Sequence, residues 1–139
     1  MCDSRRCPSG MIEFLREYDC LVEVGIGRRT ELAAALANAG VSVIATDVHE
    51  RDVPNAVRFV RDDIVDPEPS VYADADALYA RNLPPELHRP ALAVAREADA
   101  AFLFTTLGGD QPAVDVERKT IQEGTLYVAR SSPRRERRP

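Results

Sequence analysis

The chain has 139 residues, a formal net charge of −5 and 45% hydrophobic residues, which suits one globular domain with a sizeable core. No apolar run approaches the roughly 20 residues that a membrane-spanning helix requires. The basic residues near the N terminus are not followed by the apolar segment of a signal peptide. Three cysteines, an odd number, fit a reducing compartment, so we expect a cytoplasmic protein.

The charge is unevenly distributed along the chain. The last nine residues carry four arginines against one glutamate, and the first ten carry two arginines against one aspartate, which leaves residues 11–130 with a net charge of −9. This pattern predicts a flexible N terminus over 1–10, a domain over 11–130 and a basic disordered tail over 131–139. An acidic body lacks the basic face that binds nucleic acid, which leaves only the Arg-rich tail for such a partner.

The predicted elements begin with a helix, because Met11, Phe14, Leu15 and Tyr18 recur at helical spacing after Ser9, a possible N-cap. A second helix is predicted over 30–39, closed by Gly40, and a later regular helix from near residue 88, because Pro90 cannot lie deep inside a helix. Residues 64–74 contain two prolines and predict a loop or a single turn. Runs of strand length occur at residues 20–24, 41–46, 57–60, 76–80, 100–106 and 124–129.

Near-continuous apolar strands that alternate with helices are typical of a mainly parallel sheet with helices on both faces. The segments between strands two and three, and between strands three and four, predict only short helices. The sequence therefore predicts an α/β domain with a minimal Rossmann-like fold.

The stretch around the first two strands carries the strongest signal of a site. The first strand ends in Gly25-Ile26-Gly27, a helix follows at once, and the second strand ends at Asp47, 22 positions after Gly25. This is the signature of a Rossmann-type nucleotide site, in which glycines let the backbone approach a ligand and the acid binds ribose hydroxyls. Asp47 is alternatively a cap of the following turn. Glu23 is expected to face into the glycine loop.

Further polar residues follow the third and fourth strands. Asp63 is interpreted either as a partner of a ligand base amine or as a salt-bridge partner of Arg58 or Arg61. Arg81 and Asn82 lie where many α/β enzymes hold catalytic groups, although Asn82 also suits a helix cap. Because ligands bind beyond the carboxyl ends of parallel strands, we expect these residues to lie close together.

Three further side chains are predicted to have structural roles and no part in a site. His49 and His88 are expected on the surface, and Cys20 is expected to be a buried thiol that opens the first strand. Asp47-x-His49 together with Asp63 could in principle hold a metal, but three ligands scattered over loops are a weak signal, so no metal site is predicted.

The stretch Glu23-Val24-Gly25-Ile26-Gly27-Arg28-Arg29 resembles the first motif of S-adenosylmethionine-dependent methyltransferases, which runs acid, any, Gly, any, Gly, any, Gly. Arg29 stands at the third glycine position. Asp47 matches the acid of this family after the second strand, and Asp63 matches the acid near the adenine. Asn82-Leu83-Pro84-Pro85 lies where amino-methyltransferases keep an Asn/Asp-Pro-Pro-aromatic motif, but Leu83 intervenes and no aromatic residue follows.

The resemblance implies a methyltransferase-like fold and S-adenosylmethionine as cofactor. It further implies that the cofactor-binding residues are Glu23, Gly25, Gly27, Arg29, Asp47 and Asp63, with Arg81 and Asn82 as catalytic residues. Taken whole, the chain also resembles a small archaeal family of uncharacterised Rossmann-like proteins. Residues 23–31, 45–47 and 103–110 carry that likeness.

Three functions are compatible with these patterns. The first is binding of S-adenosylmethionine, with methyl transfer to an unspecified acceptor. The second is a non-catalytic binding module that recognises another protein. The third is an NAD-type site, in which Thr30 stands at the third glycine position and Arg28 and Arg29 contact phosphates.

Overall fold

A computed structural model describes residues 8–130, and no helix in that part of the chain has the length and hydropathy to cross a membrane. The rest of the predicted flexible N terminus, residues 1–7, and the predicted basic tail, residues 131–139, lie outside the described residues. The helices are α1 (Ser9–Leu15), α2 (Glu31–Asn38), α3 (Pro69–Tyr72) and α4 (His88–Glu97), with a 3₁₀ turn at Pro85–Leu87. The strands are β1 (Cys20–Glu23), β2 (Ser42–Asp47), β3 (Arg58–Arg61), β4 (Ala77–Ala80), β5 (Ala101–Phe104), β6 (Val116–Ile121) and β7 (Gly124–Ala129).

The strands form one seven-stranded sheet in the order β3-β2-β1-β4-β5-β7-β6. The first five strands are parallel, whereas β7 is antiparallel to both β5 and β6. The strand order reverses beside β1, where β2 lies on one side and β4 on the other. The predicted α/β fold with a mainly parallel sheet is confirmed.

The core consists of two apolar layers, one on each face of the sheet. Side chains alternate between the faces, so Leu21 and Tyr79 belong to the layer under α1 and α2, while Val22 and Leu78 belong to the layer under α4. The helix predicted over 30–39 spans Glu31–Asn38, and Gly40 closes it as predicted: Gly40 has φ +96°, and the Val41 amide donates to the carbonyl of Leu36 at 3.0 Å. Cys20, predicted to be buried, is half-buried because it lies at the open start of β1.

Strand β6 was not predicted, and the expectation of a single last strand was wrong. Val116 is its one buried residue, and Glu117 and Arg118 are exposed. A strand at the edge of a sheet has one neighbour, so charged side chains are tolerated there and discourage pairing with another chain. This composition hides the apolar signal on which the prediction depended.

The N terminus of α1 is capped from the β6–β7 turn, not by Ser9 as predicted. Ser9 is the first helical residue, and its hydroxyl donates to Oε1 of Gln122 at 2.6 Å. The amides of Gly10 and Met11 donate to the Glu123 carboxylate at 3.1 and 3.3 Å. These contacts hold the first turn of α1, which begins at Ser9, against the β6–β7 turn.

We expect Gly10→Ala to lower the free energy of unfolding by about 1–3 kcal/mol, the usual range for overpacking. A Cβ atom at this position would lie 2.8 Å from the amide nitrogen of Gln122 and 2.9 Å from Cβ of Ile121. Urea denaturation measures the change. Gly109→Ala is the matched control, because a Cβ there has no neighbour within 4 Å. Equal stability of the two variants would contradict the close packing of α1 on the hairpin.

Candidate functional site

A cleft of about 280 Å³ opens at the carboxyl ends of β1 to β4, and we call it the strand-end cleft. Five of the eight predicted site residues line it: Gly25, Asp47, Asp63, Arg81 and Asn82. Glu23, Gly27 and Arg29 do not. Its full lining is Val24, Gly25, Thr46, Asp47, Val48, Asp62, Asp63, Ile64, Arg81, Asn82, Leu83, Pro84 and Leu87.

The glycine loop turns towards β2. Gly25 and Gly27 have φ values of +70° and +60°, a backbone region that side chains rarely allow. Between them Ile26 is buried in the core layer under α1 and α2, and its amide donates to the carbonyl of Thr46 at 2.9 Å. The Gly27 amide donates to Oδ2 of Asp47 at 2.8 Å. Two loop amides are therefore engaged within the protein.

Asp47 is buried and ionised at the wall of the cleft. Burial opposes ionisation, but hydrogen bonds from the amides of His49 and Gly27, together with Arg51 at 3.4 Å, outweigh it and lower the pKa. The bond from His49 means that Asp47 holds the following turn, which was the alternative to ribose binding. A carboxylate oxygen can accept two hydrogen bonds, so Asp47 can hold the turn and still accept from a ribose hydroxyl.

Glu23 was expected to face into the glycine loop, but the end of β1 buries it against Tyr79. It is 1% exposed, and its Oε1 accepts a hydrogen bond of 2.8 Å from the Tyr79 hydroxyl. The register of β1 and β4 places these two residues side by side on the same face of the sheet. Burial raises the pKa of Glu23 to about 7, although the Tyr79 hydrogen bond and Arg81 favour its charged form. Burial and the neighbouring Glu23 raise the pKa of Tyr79 as well.

Arg81 and Asn82 are held firmly at the end of β4. One terminal nitrogen of Arg81 donates to the carbonyl of Arg29 at 2.9 Å and to Glu31 at 3.2 Å. Asn82 has φ +54°, and its amide donates to Oγ1 of Thr105 at 2.9 Å. Asn82 is not the helix cap considered in the sequence analysis, since Pro84 precedes the 3₁₀ turn. Its exposed side chain lies at the rim of the cleft.

Arg29 lies in a second cavity of about 330 Å³ beside the cleft. This cavity, which we call the hairpin cavity, lies between α1, the glycine loop, the ends of β4 and β5, and the β6–β7 hairpin. Its lining is Pro8, Met11, Arg29, Arg81, Asn82, Thr105, Thr106, Ile121, Glu123 and Thr125. Arg81 and Asn82 belong to both cavities and form the wall between them.

The acids after β3 hold their own loop. Oδ1 of Asp63 accepts a hydrogen bond of 2.9 Å from the Val65 amide. The alternative salt bridge of Asp63 to an arginine is not formed among residues 8–130, and Arg61 donates to the carbonyl of Val48 at 2.9 Å. Asp62 accepts hydrogen bonds from the Tyr72 hydroxyl and the Glu68 amide. Burial and Asp62 together raise the pKa of Tyr72.

Sequence reasoning missed the apolar wall of the cleft, formed by Ile64, Leu83 and Leu87. It also placed His88 on the surface, which was wrong, because His88 is fully buried. Nδ1 of His88 accepts from the Ala113 amide at 3.0 Å, so Nε2 carries the proton and donates to the carbonyl of Leu83 at 2.9 Å. His88 thus fixes the wall of the cleft to the segment after β5. A lone histidine amid helical spacing carries no sequence signal for this role.

The strand order, the glycine loop after β1 and the acid after β2 define a methyltransferase-like Rossmann fold. An RNA methyltransferase from Salinibacter ruber in complex with S-adenosyl-L-homocysteine aligns with a TM-score of 0.58 and 14% identity, over 91% of this chain and 87% of that one. A TehB-like SAM-dependent methyltransferase from Corynebacterium glutamicum aligns with a TM-score of 0.54 and 18% identity, over 80% of this chain and 78% of that one. At these identities the likeness shows the fold alone.

The family is shown by closer matches. The sequence profile of the Uncharacterised protein family UPF0146 matches residues 9–132, and the chain belongs to this family. A UPF0146 protein from Halobacterium salinarum is 49% identical over 126 residues, which is 90% of this chain and 98% of that protein. A UPF0146 protein from Archaeoglobus fulgidus is 43% identical over 90 residues, 65% of this chain and 69% of that protein. The predicted resemblance to a small archaeal family is confirmed.

Proposed function

We propose that the strand-end cleft binds S-adenosylmethionine and that the protein transfers its methyl group to a small-molecule acceptor. The observation that carries this proposal is the combination, in one cleft, of an open glycine, an ionised acid after β2 and an apolar wall. When bound, S-adenosylmethionine would supply an electrophilic methyl group for an acceptor lone pair, with the carbon–sulfur electron pair returned to sulfur and the acceptor proton released to water.

The cleft has the chemistry that an adenosyl group requires. Ile64, Leu83 and Leu87 offer an apolar surface for the adenine ring. Asp47 accepts hydrogen bonds from ribose hydroxyls, and Asp63 accepts one from the adenine amine. A Cβ at Gly25 would have no neighbour within 4 Å, so the backbone there leaves open space beside the cleft.

The same geometry disfavours the NAD-type alternative. A pyrophosphate needs free loop amides at a helix N terminus, but the amides of Ile26 and Gly27 are bonded to Thr46 and Asp47. Glu31 places a negative charge in the first turn of α2, which would repel phosphate. Neither Arg28 nor Arg29 lines the cleft to compensate. These observations favour an adenosyl ligand without phosphates.

Catalysis in this proposal is mainly positioning, which suits methyl transfer because it needs no strong base from the protein. Asn82 is fixed in a left-handed conformation by Thr105 at the wall between the two cavities. Its side-chain amide orients the acceptor towards the cleft. Arg81 fixes the loop through its bonds to Arg29 and Glu31.

Ligand titration with a melting readout tests the cofactor. S-adenosylhomocysteine at 100 times its dissociation constant is expected to stabilise the native state by about 2.7 kcal/mol and raise the melting temperature. NAD and ATP at the same concentration are expected to cause no comparable rise. If NAD stabilises and S-adenosylhomocysteine does not, the assignment is wrong. If S-adenosylhomocysteine binds but labelled S-adenosylmethionine transfers no label to any component of a cell extract, the binding-module alternative replaces the enzyme.

A further inference from the structure

We propose that the hairpin cavity binds the methyl acceptor and that this acceptor is a small molecule bearing a carboxylate or phosphate group. The acceptor role rests on the proposed function, whereas recognition of the oxyanion is argued from the cavity itself. At about 330 Å³ the cavity has the size of a small-molecule site. The hairpin cavity shares Arg81 and Asn82 with the strand-end cleft. A ligand in the cavity is therefore separated from the cofactor site only by these two residues.

Two arginines, Arg29 and Arg81, line this cavity. Among residues 8–130, the hydrogen bonds of the Arg81 guanidinium use one terminal nitrogen, so its other N–H groups have no partner in that part of the chain and can donate to a ligand. Arg81 is also held in place, with its side chain 11% exposed, which strengthens its electrostatic interactions. The Arg29 side chain is 65% exposed, and its ion pair with Glu31 is 3.9 Å long, so an oxyanion can replace that weak contact.

The two acids near the cavity, Glu31 and Glu123, leave room in it for an anion. Glu31 pairs with both arginines but does not line the cavity. Glu123 does line it, but its two carboxylate oxygens already accept hydrogen bonds from the amides of Gly10 and Met11. Its charge is therefore directed at the start of α1. The guanidinium groups are the charged donors left for a ligand.

Hydroxyl groups complete the set of donors. Thr105 accepts the Asn82 amide on Oγ1, which leaves its own hydroxyl proton free to donate. Thr125 adds a second hydroxyl from the start of β7. Arginine with hydroxyl donors is the common recognition chemistry of carboxylates and phosphates. The oxyanion end of the acceptor lies at Arg29 and Arg81, and its nucleophile lies at Asn82.

The test titrates the ¹⁵N-labelled full chain with inorganic phosphate and, separately, with acetate, at constant ionic strength. We expect the amide chemical shifts of Asn82 and Thr105 to change saturably with at least one of the two anions. The anion that binds shows whether the site recognises a phosphate or a carboxylate. Arg29→Gln is expected to weaken this binding about tenfold, the effect of a lost charge-assisted hydrogen bond. Arg28→Gln is the matched control: Arg28 is exposed on the same loop and lines neither cavity, so we expect a change within about twofold.

Equal weakening by both substitutions, or no saturable shifts, overturns the proposed site. Binding of S-adenosylhomocysteine is measured in the same proteins and is expected to stay within about threefold in Arg29→Gln. Because that readout is separate, anion binding without S-adenosylhomocysteine binding overturns the cofactor and the acceptor role. The reverse result overturns the oxyanion site alone.

Discussion

Between about pH 5 and pH 8 the wild-type protein is expected to lose stability, and Glu23→Gln is expected to remove most of that loss. Burial raises the pKa of Glu23 from 4.5 to about 7 in the native state. Below pH 4.5 both states hold the proton. As the pH rises towards 7, the unfolded state releases it and the native state keeps it, so unfolding becomes more favourable. Above 7 both states are ionised and the penalty is constant.

Between pH 5 and pH 8 the free energy of unfolding is expected to fall by roughly 2–3 kcal/mol, since each pKa unit corresponds to about 1.36 kcal/mol. Urea denaturation of wild type and variant at both pH values measures it, and the difference between the two proteins cancels other titrating groups. Glu13→Gln is the control, because it makes the same chemical change at an exposed position of α1. A Glu23→Gln variant with the wild-type pH dependence would contradict the buried position of this carboxyl.

Tyr79→Phe tests the hydrogen bond between Tyr79 and Glu23 from its other partner. Its hydroxyl bonds to Glu23 and favours the ionised carboxylate. Loss of that bond should therefore move the pH dependence to higher pH. A shift to lower pH would mean that the hydroxyl acts on the protonated form.

Gly25→Ala is expected to weaken S-adenosylhomocysteine binding at least about tenfold, since a misfit of about 1–3 kcal/mol is typical when a methyl group enters a packed site. Gly25 lines the cleft, and its added Cβ would enter open space there. Gly27→Ala is the matched control. Gly27 has a similar positive φ and an equally open Cβ position, but it does not line the cleft.

Both glycine substitutions should therefore cost similar stability, about 1–3 kcal/mol from backbone strain, and only one should affect the ligand. Calorimetric titration of the two folded variants separates strain from contact. Equal losses of affinity would show that the loop acts through its conformation and not through contact. Unchanged affinity in both would remove the glycine loop from the site.

Local sequence predicted the part of the candidate site that is built from neighbouring residues. The run from β1 through the glycine loop to α2, with Asp47 ending β2, follows from apolar periodicity and backbone chemistry, and the structure has it as predicted. Gly25, Asp47, Asp63, Arg81 and Asn82 meet in one cleft because the carboxyl ends of parallel strands lie at one edge of a sheet. That rule needs only the order and direction of the strands.

The remaining assignments depended on contacts between distant residues. Tyr79 is 56 positions from Glu23, and the register of β1 against β4 buries beside Tyr79 an acid that was expected to face the glycine loop. Glu123 is 113 positions from Gly10, and it supplies the cap that Ser9 was expected to provide. The apolar wall of the cleft and the burial of His88 likewise arise from loops packed together by the sheet.

The sequence by itself determined the Rossmann-like architecture, because helix and strand periods and the glycines of the loop are local properties of the chain. Only the tertiary structure decided which way the glycine loop turns, and that its amides bond to Thr46 and Asp47. It also moved Arg29 from the cleft to the hairpin cavity. Hydrogen-bond partners and burial are set by the packing of whole elements, and no short window of sequence contains that information.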